Sequence, residues 1–68
     1  MDVRLITVPK SPTCHSVRMY LNMLGVKYSE FELSEEEGRK LGEMPVVLID
    51  DNEETRGFKP QELKDIFG

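Results

Sequence analysis

Along this chain the apolar residues change period several times, and each change marks an element. Val3-Arg4-Leu5-Ile6-Thr7-Val8 is short, rich in β-branched residues and closed by Pro9, which predicts a strand whose exit is set by proline. Ser11 followed by Pro12 then fits a helix start. The hydroxyl caps free N–H groups, and proline at the first helical position lacks only an N–H that would have no partner. Cys14, Val17, Leu21 and Leu24 recur at spacings of three and four and share one helix face. Gly25 suits the left-handed residue beyond a helix C-terminus, so the helix ends near Leu24.

Val26 to Leu33 alternates apolar with polar, its apolar positions at Val26, Tyr28, Phe31 and Leu33 with one slip, which predicts a second strand. A strand, a helix and a strand in succession predict a parallel, right-handed βαβ unit. Ser34-Glu35-Glu36-Glu37 reads as a capping box whose acidic first turn suits the helix dipole; the helix is brief and ends near Leu41-Gly42. Pro45-Val46-Val47-Leu48-Ile49 is a continuous apolar run suited to a buried strand, and Asp50-Asp51-Asn52 supplies turn chemistry. Glu54-Thr55-Arg56 is the expected return strand and Gly57 a bend. Lys59-Pro60 opens a last helix with Leu63, Ile66 and Phe67 inward. The order is β-α-β-α-β-β-α in one domain over residues 1–68, without linker, repeat or low-complexity segment.

Composition narrows the options. The 68 residues are 38% hydrophobic and 32% charged, a globular mixture with a thin core. A net charge of −4 without clustered Lys and Arg counts against a nucleic-acid surface. No run approaches the roughly 18 apolar residues of a membrane span, and the N-terminus lacks the basic start of a signal peptide. A cytoplasmic monomer is expected, with no membrane or nucleic-acid partner. The one cysteine, Cys14, and one histidine, His15, exclude an internal disulfide and a Cys/His zinc cluster.

The run from Ser11 to Tyr28 resembles the active-site segment of glutaredoxins. There a C-x-x-C motif opens the first helix, with Leu seven residues beyond the second cysteine and Gly-Val or Gly-Ile eleven beyond. Leu21 and Gly25-Val26 fit those spacings from Cys14, which therefore matches the second cysteine, and Ser11 stands where the first would be. Met44-Pro45-Val46-Val47 resembles the family's cis-proline segment, which faces the active site and pairs its backbone with the bound thiol substrate. Arg56-Gly57-Phe58-Lys59-Pro60 is similar to the S-G-F-x-P ending of NrdH-redoxins, which reduce ribonucleotide reductase.

The resemblance implies an α/β, thioredoxin-like fold of glutaredoxin type: a central four-stranded mixed sheet with helices on both faces. It implies a small thiol–disulfide oxidoreductase carrying electrons to a protein disulfide, such as that of ribonucleotide reductase, without a bound cofactor. The Gly57-Phe58 segment shifts the expected electron donor from glutathione toward thioredoxin reductase. Ser11 and Cys14 then occupy the positions of the nucleophilic and resolving thiols, and Pro12, Thr13, Met44, Pro45, Gly57 and Phe58 the substrate-binding positions.

Ser11 changes what the chain can do. Dithiol exchange needs a thiolate at the exposed helix N-terminus, and a serine hydroxyl is neither ionised near neutrality nor able to enter thiol–disulfide exchange. The expectation is a poor reductase. Ser11 is either an engineered replacement or a natural departure, and the sequence leaves both open. A redox-inactive binding module on the same fold is one alternative. Another is a glutathione-binding domain: Ser11-Pro12, Arg18 and Met44-Pro45-Val46-Val47 also resemble the N-terminal domain of glutathione transferases, where a serine hydroxyl can stabilise the glutathione thiolate.

Plainer roles accompany these readings. Ser11 is an N-cap in every case, Cys14 can pack as a small hydrophobe, and Pro45 can simply begin a strand. His15 is expected to be exposed. Lys10 and Arg18 are either solvated or hold a carboxylate, and Phe58 is either a partner contact or core. Glu35-Glu36-Glu37 is expected to be a solvated helix start.

Overall fold

The computed structural model describes residues 1–68. Its elements are β1 (Val3–Thr7), α1 (Pro12–Met23), β2 (Ser29–Glu32), α2 (Glu35–Leu41), β3 (Val46–Ile49), β4 (Asn52–Arg56) and α3 (Pro60–Phe67). They form one sheet in the order β2-β1-β3-β4. β1 runs parallel to β2, with Leu5 opposite Glu30 and Ile6 opposite Phe31. β3 runs antiparallel to β1 and β4 antiparallel to β3, so the sheet is mixed.

Strand alternation divides the apolar residues between two faces. Val3 and Leu5 of β1 and Val47 of β3 share one face, where they pack with Val17 and Leu21 of α1 and Leu63 of α3. Leu5, Val17, Leu21, Val47 and Leu63 are fully buried. Each such side chain contributes roughly 1.5–3 kcal/mol by leaving water. The opposite parity carries Ile6, Val8, Val46 and Leu48, which gather with Met44 and Cys14. α2 covers this second face at its Val8 end. Gly38 is the one buried residue of α2, and a Cβ there would overlap Val8 Cγ1.

The ends of α1 follow the sequence signals. Ser11 caps it and Pro12 opens it. At its C-terminus Gly25 adopts φ +74°, the Gly25 N–H donates to Asn22 and the Val26 N–H to Leu21. That pair of bonds is a Schellman motif. It also explains why β2 starts at Ser29 and not at Val26: the backbone of Val26 is still closing the helix. Val26 and Tyr28 pack on the main core before the strand begins. All four residues of β2 are exposed, Phe31 included at 50%.

The remaining boundaries differ by a few residues. β1 ends at Thr7, one residue before Val8. The capping box of α2 is present in both directions, Glu37 N–H to Ser34 Oγ and Ser34 N–H to Glu37 Oε1. Asp50 and Asp51 form the β3–β4 turn with φ +50° and +68°, the left-handed pair of a two-residue hairpin. Asn52 therefore pairs with Ile49, and β4 starts there instead of at Glu54. No helix is long and apolar enough to cross a membrane.

Candidate active site

The loop leaving β1 delivers Ser11 to the start of α1. Its Oγ accepts the backbone N–H of Cys14 at 3.2 Å, and its carbonyl accepts the N–H of His15 at 3.1 Å. Pro12 has no N–H, and that of Thr13 has no protein acceptor. The first turn of α1 thus presents the free Thr13 N–H and the positive end of a dipole to whatever approaches Ser11. Lys10 holds the loop's bend with φ +57°. Cys14, one turn inward on the apolar stripe, is 1% exposed and packs with Met44 and Val46.

The second wall comes from the segment between α2 and β3. The Met44–Pro45 peptide is cis, and the Pro45 carbonyl accepts the N–H of Gly57 at 2.9 Å. Met44 makes no backbone hydrogen bond of its own, so its N–H and C=O remain available to an extended chain laid beside it. Between the walls lies an open cleft of 560 Å³ lined by Ser11, Pro12, Thr13, Gly38, Gly42 and Met44, with Lys10, Glu35, Arg39 and Glu43 supplying two charges of each sign. Pro45 is buried beneath it, and Gly57, at φ +72°, is buried behind it.

Six of the eight sequence-predicted positions therefore meet at the cleft or directly beneath it, and Gly57 is joined to them through Pro45. Phe58 is placed elsewhere. Its ring meets Tyr20 edge to face, with centroids 6.1 Å apart and planes at 81°, in an apolar hollow with Met19 and Met23 on the flank of α1. It is 41% exposed and does not line the cleft. His15 is exposed.

Arg18 is partly exposed but already paired within the chain, because Glu30 of β2 accepts from its Nε and Nη2 at 3.0 and 2.8 Å. The same Glu30 accepts from the buried hydroxyl of Thr7 at 3.0 Å. The Arg18 hydrogen bonds hold the Glu30 carboxyl below its usual range against the opposing effect of burial, with Thr7 assisting. Arg18 is raised in turn, first by its bond to Glu30. This group ties α1 to the exposed edge strand.

Several cleft residues carried little sequence signal. Glu35 belongs to the run expected to be a solvated helix start, and nothing in the sequence singles out Arg39 or Glu43; the fold alone brings all three to the cleft beside Ser11. Gly38 carried one signal, a glycine within a predicted helix, which marks close backbone packing.

No protein-family model matches the chain, and no curated protein sequence matches it. Solved structures do. A glutaredoxin (grx-1) from Archaeoglobus fulgidus is 23% identical with a TM-score of 0.74, the match covering 98% of this chain and 87% of that one. Glutaredoxin 1 from Francisella tularensis, in a complex with cacodylate, is 19% identical with a TM-score of 0.66, covering 94% of this chain and 88% of that one. With the mixed sheet, the element order and the cleft at the head of α1, these similarities establish that the chain has the thioredoxin-like fold in its glutaredoxin form.

Proposed function

We propose that this protein is a glutaredoxin-type domain for thiol–disulfide exchange whose attacking position is held by Ser11. As it stands, the chain binds a disulfide-bearing segment without opening the disulfide. The observation that carries this reading is the hydrogen bond from the Cys14 N–H to Ser11 Oγ, made at a helix N-terminus and facing the unpaired backbone of Met44 across the cleft.

With a thiol at position 11 the chemistry is complete. The thiolate attacks one sulfur of the partner disulfide, the partner's other sulfur leaves as a thiolate, and a mixed disulfide forms. Cys14 then attacks the sulfur of residue 11, releasing the second partner thiol and closing an 11–14 disulfide. Two electrons pass to the partner, and an external reductant restores the pair. With serine the first step does not occur, and Cys14, 1% exposed, does not meet a partner disulfide directly. The proposed partner is a protein disulfide of the kind found in ribonucleotide reductase, met by a monomer in the cytoplasm. The proposed donor is thioredoxin reductase or glutathione.

The test is Ser11→Cys assayed for disulfide reduction with each donor beside the unaltered chain. Activity in the variant alone supports the reading; no activity with either donor removes it. A second reading is favoured by the Ser11 hydroxyl, whose proton has no protein acceptor and is free to face the thiolate of glutathione. Calorimetric titration with glutathione decides it, since absence of binding that is lost in Ser11→Ala eliminates it.

A further inference from the structure

Arg56, at the end of β4, makes contacts that neither the sheet ladder nor the core requires. Its Nη1 donates to the carbonyl of Leu41, one of the carbonyls that the last turn of a helix leaves without an intrahelical partner. Its Nε and Nη2 grip the two oxygens of Glu53 at 2.6 and 2.9 Å. The fork fixes the direction of the guanidinium and aims it at the end of α2.

The place of that contact gives it its meaning. Immediately after Leu41 the chain turns through Gly42 at φ +94° and runs as Glu43-Met44 to the cis peptide. Glu43 and Met44 make no backbone hydrogen bonds. Their segment is held at one end by the Gly57 N–H on the Pro45 carbonyl and at the other by α2. α2 has seven residues and buries only Gly38, too short to be stable by itself. Its attachment near the cleft depends on few contacts: the Arg56 bond to Leu41 just before Gly42, and a long, solvent-exposed ion pair of Glu43 with Lys59 at 3.9 Å just after it, of which only the first fixes the end of the helix backbone.

We propose that Arg56 is a positioning residue for the cleft: by holding the end of α2 against β4 it fixes the Met44 backbone opposite Ser11. This rests on the reading that Met44 pairs with the partner's backbone. Without Arg56 the wall hinges at Gly42, and an extended peptide loses its register while a small disulfide, which needs no backbone pairing, is unaffected.

Two measurements test this. In the chain with Ser11, amide hydrogen exchange in Arg56→Ala is expected to quicken about fivefold at Gly42 and Gly57 and not at Leu5 or Val47. In the Ser11→Cys background, single-turnover reduction is followed with a short peptide disulfide and with bis(hydroxyethyl) disulfide. The half-saturating peptide concentration should rise about fivefold in Arg56→Ala with the limiting rate unchanged, and the small disulfide should react as before.

Arg56→Lys, which keeps the charge but cannot serve Leu41 and Glu53 together, should show the same split more weakly; it carries both measurements if the alanine variant does not fold. Unchanged exchange at Gly42 and Gly57, or equal slowing of both disulfides, overturns the inference. Failure of Ser11→Cys to reduce either disulfide would instead count against the functional reading, leaving the exchange rates to judge Arg56.

Discussion

Ser11 Oγ accepts the backbone N–H of Cys14 at 3.2 Å, while the thiol of Cys14 is buried with Met44 and Val46. The cap and the cysteine thus belong to one turn but to different environments. Cys14 should resist alkylation by iodoacetamide in the folded protein and react on unfolding in urea, with at least about a hundredfold difference in rate set by the folding equilibrium. Labelling followed by mass spectrometry checks this; equal rates in both states would mean that the thiol is open to solvent.

Gly38 is where α2 meets the second face of the sheet. Gly38→Ala gains helix propensity of at most about 1 kcal/mol but drives a methyl group into Val8 Cγ1. Overpacking of this kind costs about 1–3 kcal/mol, so the net change should be a loss of about 1 kcal/mol in urea unfolding. A more stable variant would show that α2 packs less closely than described.

Thr55 is 4% exposed, and its hydroxyl has no hydrogen-bond partner. Thr55→Val keeps the shape and removes the unsatisfied oxygen, so it should stabilise the protein by about 1 kcal/mol. Urea denaturation of the two proteins is the check, and destabilisation would mean that the hydroxyl is satisfied in solution.

Glu30 predicts an acid limb. Its carboxyl is held below the ordinary value of 4.5, first by hydrogen bonds from Arg18. The stability it supplies is therefore complete above pH 4.5 and is lost as the pH falls through the lowered folded value. Glu30→Gln should cost less than about 1 kcal/mol at pH 7, as befits a partly exposed pair, and should flatten that part of the curve. An identical acid dependence in both proteins would contradict the assignment.

Much of this could be read from residue order because local chemistry decides it. Ser11-Pro12, the Ser34 to Glu37 box and Gly25 specify their helix ends through bonds a few residues long. β2 misled because Val26 and Tyr28 alternate like a strand, yet the Schellman bonds commit Val26 to the helix end; a period of two does not register where a preceding helix stops. Arg56 was unreadable for another reason. Its bond to Leu41 joins residues fifteen apart through a side chain, and only the assembled hairpin brings them together. Arg18 and Glu30 are likewise twelve residues apart and meet only where α1 packs beside β2.

The most direct test of the central claim, that position 11 is built to hold a thiolate, is the acid strength of the thiol introduced by Ser11→Cys, read from the pH dependence of its alkylation. The Cys14 N–H and the open first turn of α1 should bring its pKa below about 7.5, against about 8.5 for a free cysteine. A value at or above that of the free thiol would contradict the account.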